Sequence, residues 1–461
     1  MSSIPVIAIF DVGKTNKKLF LFDQQYNVVL EKSECFAETR DEDGDACEDL
    51  ELLTAWIKNS LREVSLLKDF SLQAINFSSY GASFVHTDRE GRPVAPLYNY
   101  LKPYPEQLKQ QFYETYGGEL AFSMHTASPS LGSLNSGLQL YRIRKERPDL
   151  FASIHYSLHL PQYLSYLVTG MRYSDITSIG CHTAMWHFSQ NRYHEWLSKE
   201  GILKKLAPIF PSDQVMKTQY NKRPLLSGVG LHDSSAALIP YLANFTEPFV
   251  LISTGTWCIS LNPFNQSPLT ADELKQDCLR YMEYRGKPIK ASRLFAGYEH
   301  EQQVKRLAEH FSCSADRYKK VEYDASILKK LASTEDGTND SSNDNKPLQE
   351  SAFKKRDLSI FATYEEAYHQ LIKDIMHQQV LSTQLVLAGS SVKKIFVDGG
   401  FSQNPIYLNL LAAAFQNVEV YGASISQSTA LGAALAVHHY WNKQPAPSHL
   451  IRIKQSSAVP A

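Results

Sequence analysis

Apolar and polar positions follow the same order in two distant parts of the chain, and each part predicts a β-hairpin. Within 6–22, two apolar runs flank a short polar turn that contains Gly13. Within 249–261, two further apolar runs flank a turn that contains Gly255. Short apolar runs separated by a glycine turn are typical of hairpins. Because the pattern recurs about half a chain away, it predicts two domains built on one plan.

The length of the chain also favours two domains. At 461 residues it exceeds what a single hydrophobic core usually serves. Polar residues at 244–248 separate two apolar stretches, so the domain boundary is predicted there. We expect an N-terminal domain over 1–245 and a C-terminal domain over 246–461.

Other segments alternate between strand-like and helix-like patterns. A helix is predicted over 52–67, a strand over 74–81 and a long helix over 364–387. Such alternation is typical of an α/β fold with a largely buried sheet. By contrast, residues 333–357 are rich in Ser, Asn, Asp, Glu and Lys, and they predict a surface loop.

Charge and cysteine content narrow the classes of partner and compartment. Lys and Arg total 47 against 48 Asp and Glu, which gives a formal net charge of −1. This balance does not support a nucleic-acid partner or a polybasic membrane surface. The six cysteines show no metal-ligand spacing, which favours reduced thiols. Because the N-terminus does not look like a leader and no apolar run has the length of a membrane span, the expected compartment is the cytoplasm.

Three glycine turns follow apolar strands, at 11–15, 253–256 and 398–400. Strand ends that carry glycine and hydroxyl residues are where α/β sheets bind phosphates. Asp11 ends a buried strand with a carboxylate that suits a hydrated Mg²⁺. The rest of the first turn offers close backbone approach, small polar groups and positive charge, from Gly13, Lys14, Thr15, Asn16 and Lys18. The turns therefore predict a site for a polyphosphate and its metal.

The order of these turns resembles the FGGY carbohydrate kinases, a family in the wider group of actin, hexokinase and Hsp70. Asp11-x-Gly13-x-Thr15 resembles the first phosphate loop of the family, and Thr254-Gly255-Thr256 resembles the second. Asp398-Gly399-Gly400 with Asn404 resembles the adenosine loop, and His232-Asp233 resembles the segment that carries the catalytic base. The match covers nearly the whole chain.

The resemblance implies two RNase-H-like domains of the actin and hexokinase ATPase type, with an inter-domain cleft. It also implies ATP as the phosphate donor, Mg²⁺ held through water near Asp11 and Asp233, and Asp233 as the catalytic base. The residues implied to bind the ATP phosphates are Gly13, Lys14, Thr15, Asn16, Lys18, Thr254, Gly255 and Thr256. Those implied to bind adenosine are Gly399, Gly400 and Asn404.

Within the family, segments 98–100, 134–136 and 160–164 are most similar to the rhamnulokinase and fuculokinase branch. The implied reaction is phosphorylation of a free ketose at a terminal hydroxyl in carbohydrate catabolism, with a 6-deoxyketohexose such as L-rhamnulose or L-fuculose favoured. The residues implied to bind the sugar are Gly81, Ala82, Ser83, Tyr98, Asn99, His232 and Asp233. Because segment 81–83 departs from the Gln-Met-His type of sugar loop, the sequence leaves the particular sugar open.

Several alternatives stay open at this level. The substrate can instead be a pentulose such as xylulose or ribulose, or a polyol such as glycerol. A non-catalytic sugar or nucleotide sensor of the same fold and an actin-like filament protein are the readings from other classes. The presence of Asp11, Asp233 and all three glycine turns favours a catalyst. The expected partner is a small-molecule sugar, and a homodimer is left open.

Overall fold

The computed structural model describes residues 3–334, 351–424, 427–447 and 450–456. The chain divides into two compact units. The first comprises Met1–Asn244, Arg280–Pro288 and Gln427–Leu450, and the second comprises Phe245–Leu279, Ile289–Ser426 and Ile451–Ala461.

The strands are, in chain order, β1 (Ile4–Val12), β2 (Asn16–Phe22), β3 (Val28–Cys35), β4 (Thr39–Arg40), β5 (Ala46–Cys47), β6 (Phe70–Ser79), β7 (Phe84–Thr87), β8 (Tyr156–His159), β9 (Trp186–His187), β10 (Arg192–Tyr193), β11 (Met216–Tyr220), β12 (Arg223–Ser227), β13 (Leu231–His232), β14 (Phe249–Thr254), β15 (Cys258–Asn262), β16 (Cys278–Met282), β17 (Pro288–Leu294), β18 (Lys394–Gly399), β19 (Glu419–Ser424) and β20 (Arg452–Ser456).

The α-helices are α1 (Leu50–Leu66), α2 (Glu106–Thr115), α3 (Glu119–Thr126), α4 (Ser136–Glu146), α5 (Pro148–Ser153), α6 (Leu160–Thr169), α7 (Ile176–Ile179), α8 (Trp196–Lys199), α9 (Asp233–Asn244), α10 (Ala271–Lys275), α11 (Ala296–His310), α12 (Ala325–Thr334), α13 (Tyr364–Leu387), α14 (Pro405–Ala414), α15 (Ser428–Ala436) and α16 (His438–Trp441). None of the helices in these described residues is both long enough and apolar enough to cross a membrane.

The large sheet of the first unit is built around the predicted hairpin. Its order is β3-β2-β1-β6-β12, with β11 beyond β12 and β13 also paired to β6. The hairpin strands pair antiparallel, whereas β1 and β6 run parallel. All residues from Val6 to Phe10 are fully buried, as expected for a strand covered on both faces of a sheet. The carboxyl ends of β1 and β6 therefore lie side by side and bring Asp11 next to Ser78.

The large sheet of the second unit repeats this plan, as the second hairpin predicted. Its order includes β17-β15-β14-β18-β19. Again the hairpin strands pair antiparallel, and β14 runs parallel to β18. The carboxyl ends of β14 and β18 pair Thr254 with Gly399, so the second and third glycine turns are neighbours.

Two segments pack with the first unit although they follow residue 245, and this differs from the predicted division into 1–245 and 246–461. They are Arg280–Pro288 and Gln427–Leu450. The second contains α15, which packs on α9, β1 and β6. A side chain at Gly432 would lie 1.8 Å from the carbonyl oxygen of Ala236, so only glycine permits this approach of α15 to α9. The pattern of α15 shows an apolar helix, but it does not tell which sheet the helix covers.

The predicted surface loop at 333–357 is wrong at its C-terminal end. Residues 335–350 lie outside the described part of the chain, but Phe353 is fully buried and packs against Phe361 with ring centroids 6.2 Å apart. The guanidinium of Arg356 binds both carboxylate oxygens of Asp374, at 2.6 and 2.9 Å. The polar composition of 333–357 did not predict this packing, because the single residue Phe353 supplies most of the buried apolar surface.

Candidate functional site

Asp11 lies at the carboxyl end of β1, where its side chain is half-buried. The hydroxyl of Ser78 donates a hydrogen bond of 2.6 Å to its carboxylate. Burial and, to a smaller extent, the negative charge of Asp233 raise the pKa of Asp11 to about 6, while the hydrogen bond from Ser78 and the charge of Lys18 act in the opposite direction. The two carboxylates are thus close enough to repel each other, and a cation between them would relieve that repulsion.

Asp233 opens α9, where the positive end of the helix dipole favours an anion. Its Oδ1 accepts a hydrogen bond of 2.6 Å from the backbone amide of Ser234 and lies 3.2 Å from Nε2 of His232. About 37% of the Asp233 side chain is exposed, so a ligand can reach it.

His232 is buried beside Asp233, and burial lowers its pKa. When Nε2 donates its proton to Asp233, Nδ1 is left as an acceptor. Nδ1 has no hydrogen-bond partner among the described residues. This nitrogen is therefore ready to accept a hydrogen bond from a ligand hydroxyl.

Gly81, the first residue of the predicted sugar loop, makes room for this histidine. A Cβ at Gly81 would lie 2.8 Å from Cδ2 and 2.9 Å from Nε2 of His232. The absence of a side chain at position 81 is thus tied to the position of the ring that contacts Asp233. A larger residue, as in the Gln-Met-His type of loop, would need a different placement of His232.

For the sugar kinase activity that the resemblance implies, we expect Gly81→Ala to lower kcat/KM for the sugar by about 10²-fold, since a misplacement of about 1 Å near reacting groups can have this effect. The variant should keep its affinity for ATP. A double-mutant cycle with His232→Asn tests the cause, because removing the ring removes the steric conflict. An equal loss in both backgrounds would show that Gly81 acts independently of His232.

The two other residues of the predicted sugar loop, Ala82 and Ser83, differ in their hydrogen bonds. Ala82 adopts a left-handed conformation with φ 57°, and its carbonyl accepts a hydrogen bond of 2.7 Å from the side-chain amide of Gln139. The hydroxyl of Ser83 is buried, and no described residue bonds it. It therefore resembles His232 in having unused hydrogen-bonding capacity.

Tyr98 and Asn99 have partners other than Asp233. The Tyr98 hydroxyl receives a hydrogen bond of 3.0 Å from Arg147, and the Asn99 side chain accepts one of 3.0 Å from the amide of Leu101. Both residues line a cavity of about 400 Å³ in the first unit.

In the same segment, the charge of Asp233 affects the pKa of Tyr100. Burial raises the pKa of Tyr100 to about 12, and the charge of Asp233 contributes to the shift. Of Tyr98-Asn99-Tyr100, only the first two residues were predicted to bind the sugar, although Tyr100 stands in the same motif.

The first glycine turn is a tight connection between β1 and β2. The amide of Gly13 donates a hydrogen bond of 2.9 Å to the carbonyl of Asn16. Thr15 and Asn16 are exposed at its tip, and the Asn16 side chain accepts a hydrogen bond from the Cys35 thiol at 2.9 Å. The turn therefore presents Thr15 to solvent but holds Asn16 against β3.

Both predicted phosphate-binding lysines of this turn are paired with glutamates. Lys14 lies 2.7 Å from Glu38, and Lys18 lies 3.3 Å from Glu31. Exposed ion pairs of this kind are worth only about 0–1 kcal/mol, so either lysine can exchange its partner for a phosphate at little cost.

The second unit contains a cavity of about 810 Å³, and five of the six nucleotide-binding residues predicted in this unit line it. Such a volume is in the range of small-molecule sites. Its lining includes Thr254, Gly255, Gly399, Gly400 and Asn404. Thr256 is exposed and is not part of this lining.

Close backbone packing shapes this cavity. Gly399 has φ 84°, and a Cβ there would lie 2.0 Å from the carbonyl oxygen of Thr254. The Thr254 hydroxyl accepts a hydrogen bond of 3.0 Å from the amide of Phe401. Likewise, a Cβ at Gly297 would lie 1.7 Å from the carbonyl oxygen of Gly255, which brings the start of α11 onto the second turn.

Asn404 already has structural partners in this cavity. Its Oδ1 caps α14 by accepting hydrogen bonds from the amides of Ile406 and Tyr407, both at 3.0 Å. Its side-chain amide donates to the Tyr368 hydroxyl at 2.8 Å.

The predicted nucleotide-binding residues do not include the wall of the cavity that α11 and the following segment supply. These lining residues are His300, Glu301, Lys305, Asp316, Tyr318 and Lys319. No glycine turn marks them, and charged residues at helical spacing are typical of a solvated helix face.

Comparisons with known proteins bear on this geometry. Residues 6–233 match the N-terminal domain of the FGGY family of carbohydrate kinases, and residues 246–446 match the FGGY C-terminal domain. A rhamnulokinase from Halalkalibacterium halodurans is 22% identical over 268 residues, 54% of this chain. A rhamnulokinase from Mannheimia succiniciproducens is 24% identical over 267 residues, 55% of this chain. In both alignments the chain spans about half the length of the relative, 52% in each case.

Solved structures are similar along almost the whole chain. A carbohydrate kinase from Novosphingobium aromaticivorans is similar with a TM-score of 0.76 and 22% identity, over 99% of this chain and 94% of its own. A xylulose kinase from Rhodospirillum rubrum is similar with a TM-score of 0.78 and 14% identity, over the same shares. These likenesses confirm the predicted fold class of two domains of the actin and hexokinase type.

Proposed function

The chain belongs to the FGGY family of carbohydrate kinases, and from this membership we propose that it transfers the terminal phosphoryl group of ATP to a hydroxyl of a free ketose. The observation that carries the proposal is that β1 and β13 both pair with β6 and end beside Ser78 and Ser79, which brings Asp11 and Asp233 to the same end of the first sheet. Phosphoryl transfer uses carboxylates to hold the metal ion and to accept the proton of the attacking hydroxyl.

Asp233 is the proposed catalytic base. Its carboxylate accepts the proton of the attacking hydroxyl while the new O–P bond forms and the bond to ADP breaks. A loose transition state releases that proton late, so a carboxylate is basic enough. The contact with His232 holds the carboxylate in place, and the unused Nδ1 of His232 accepts a hydrogen bond from a neighbouring sugar hydroxyl.

The donor set fits ATP and a divalent cation. Asp11 is a half-buried carboxylate that Asp233 repels, which suits a hydrated Mg²⁺ bound through Asp11 and Asp233. When bound, Mg²⁺ supplies positive charge to the phosphate oxygens. In the first turn, Gly13, Lys14, Thr15, Asn16 and Lys18 are the proposed phosphate contacts.

The second unit is the proposed nucleotide holder. The proposed contacts are Thr254, Gly255 and Thr256 for the phosphates, and Gly399, Gly400 and Asn404 for adenosine. The cavity of about 810 Å³ is large enough for a nucleotide. In its wall Lys305 pairs with Glu301 at 2.7 Å and Lys319 pairs with Asp316 at 2.6 Å, and either lysine can exchange this partner for a phosphate. Since Asn404 also caps a helix, its contribution to adenosine binding is through the loop that it fixes.

The proposed sugar is a 6-deoxyketohexose such as L-rhamnulose or L-fuculose, phosphorylated at a terminal hydroxyl. The two rhamnulokinases among the relatives support this choice. The proposed contacts are Gly81, Ala82, Ser83, Tyr98, Asn99, His232 and Asp233. Tyr100 joins this set because its hydroxyl lies in the field of Asp233.

The test is sugar-dependent ADP release with Mg²⁺ and ATP across 6-deoxyketohexoses, ketohexoses, ketopentoses and polyols. We expect the largest kcat/KM for a 6-deoxyketohexose. A larger value for a ketopentose or glycerol would move the substrate class and keep the kinase. Intact ATP binding without ADP release for any acceptor would overturn the catalytic proposal and favour a sensor.

We expect Asp11→Asn to stabilise the metal-free protein at pH 7 while abolishing most activity. Because folding raises the pKa of Asp11 to about 6, the folded state holds a proton that the unfolded state has lost between about pH 4 and 6. Stability of the wild type therefore falls as pH rises through that window. The ionised form costs up to about 3 kcal/mol, since one pKa unit is worth about 1.4 kcal/mol.

Denaturant unfolding of both proteins at pH 5 and pH 7, with chelator or with Mg²⁺, measures this effect. The free energy of unfolding of the variant should exceed that of the wild type clearly at pH 7 in chelator. This difference should become smaller at pH 5 or with Mg²⁺. A variant less stable than the wild type at pH 7 in chelator would show that the ionised carboxylate of Asp11 does not destabilise the folded protein.

A further inference from the structure

Three histidines of the first unit form a cluster that the proposed kinase site does not use. They are His125, His187 and His194, and one ring nitrogen of each lies within 4.8 Å of the others. His125 is in the last turn of α3 and is exposed, whereas His187 in β9 and His194 just after β10 are buried. The rings sit close together, with centroids 4.8 Å apart for His125 and His187 and 5.3 Å apart for His187 and His194.

The backbone holds these residues together independently of their rings. The amide of Phe188 donates a hydrogen bond of 3.0 Å to the carbonyl of His125, which joins α3 to the β9–β10 hairpin. The amide of His194 donates one of 2.7 Å to the carbonyl of Met185. Below the cluster, Phe122 packs on His194 with ring centroids 4.8 Å apart. The backbone positions of the three histidines are therefore fixed by contacts other than those between their rings.

We propose that His125, His187 and His194 bind one divalent transition-metal ion of the zinc class. Imidazole nitrogen is a preferred ligand of Zn²⁺, Ni²⁺, Cu²⁺ and Co²⁺, whereas Mg²⁺ prefers oxygen. Three protein ligands leave a fourth tetrahedral position for water, as at open zinc sites. The exposed side of His125 gives the ion and that water access from solvent.

The chemical state of the rings suits this role. Metal binding needs neutral imidazole. Burial, with a smaller contribution from the neighbouring histidines, lowers the pKa of His187 and lowers that of His194 to about 4. The Ser189 hydroxyl lies 3.3 Å from Nδ1 of His187, which directs Nε2 of that ring to the ion.

Binding requires a small closure of the cluster. Zinc–nitrogen bonds of about 2.0–2.1 Å place tetrahedral ligands roughly 3.4 Å apart, so nitrogens that lie within 4.8 Å of one another approach by up to about 1.4 Å. The ring planes are nearly parallel, at 16° and 14°, and an ion must lie in the plane of each ring that binds it. His125 turns most easily because it is exposed, and His194 gives up a long contact of 3.4 Å between its Nδ1 and the Trp196 amide.

Cobalt titration of the full chain, first freed of metal by chelator and then kept in excess Mg²⁺, tests the proposal. We expect one Co²⁺ per chain, with visible d–d absorption that Zn²⁺ displaces, and a Tm raised by Zn²⁺. His125→Ala should weaken binding at least about tenfold, a change of about 1.4 kcal/mol. Since His125 is exposed, the variant should fold, which circular dichroism verifies.

His310→Ala is the matched control, because His310 is also an exposed histidine in the last turn of a helix, α11. It should bind Co²⁺ like the wild type. Equal weakening by both variants, or a wild type that binds no ion more tightly than His125→Ala does, would overturn the site. Its failure would not affect the kinase proposal, which sugar-dependent ADP release tests separately.

Discussion

Asp233→Asn should leave a folded protein that binds ATP and sugar but phosphorylates about 10²–10⁴ times more slowly, the usual effect of removing a general base. The amide preserves the size of the side chain and can still accept the hydrogen bond from the Ser234 amide. It cannot take up the proton of the attacking hydroxyl. The loss should therefore appear in kcat, with little change in the KM of either substrate.

Asp149→Asn provides the matched control for this variant. Asp149 also lies in the first turn of a helix of the first unit, α5, and it is exposed. The same chemical change there should alter neither kcat nor Tm appreciably. Near-normal turnover by Asp233→Asn would remove Asp233 from the catalytic role, and a large fall in its Tm would assign it a structural one.

Gly399→Ala should strongly weaken the proposed binding of ATP by the second unit. The added Cβ would lie 2.0 Å from the carbonyl oxygen of Thr254, so β14 and β18 must separate at the point where both turns line the cavity. We expect the KM for ATP to rise at least about tenfold, which corresponds to about 1.4 kcal/mol of binding. Overpacking should also lower the free energy of unfolding by about 1–3 kcal/mol.

Backbone strain must be separated from this steric effect, and Gly389→Ala does so. Gly389 has φ 73°, close to the 84° of Gly399, but a Cβ there would meet no atom within 4 Å. Both variants place an alanine at a positive φ, but the strain is greater at position 399, where ψ of −148° lies in a region that is almost exclusive to glycine. Only Gly399→Ala should raise the KM for ATP. An equal rise in both would mean that strain alone, and not the approach to Thr254, disturbs the nucleotide site.

The sequence predicted the repeated sheets well because hairpins are local. Alternating apolar runs around Gly13 and Gly255 need no knowledge of the rest of the chain, and the long helix at 364–387 was predicted with the bounds that the structure has. The parallel pairing of β14 with β18 was not encoded in this local way. The two strands are distant in the chain, so no local pattern predicted that they pair.

What the sequence could not predict depends on contacts between distant residues. The steric fit of Gly81 to His232 joins positions about 150 residues apart, and no spacing rule reveals it. Similarly, Tyr98 and Tyr100 stand two residues apart, yet only Tyr100 lies in the field of Asp233. Chain direction at a turn decides which of two such neighbours faces the site, and this direction follows from packing.

The assignment of α15 to the first unit has a consequence for the order in which the protein is made. A ribosome completes residues 1–244 first, but the helix that covers β1 and β6 and packs on Ala236 emerges only after residues 245–426, which include most of the second unit. Until then the apolar surface that α15 buries has no cover within its own unit. Since domains otherwise tend to fold in the order of synthesis, this chain should complete its first unit only after most of its second unit has been synthesised. A nascent chain arrested before Gln427 should therefore be protease-sensitive and a substrate for chaperones, even though most of its N-terminal half has already left the ribosome.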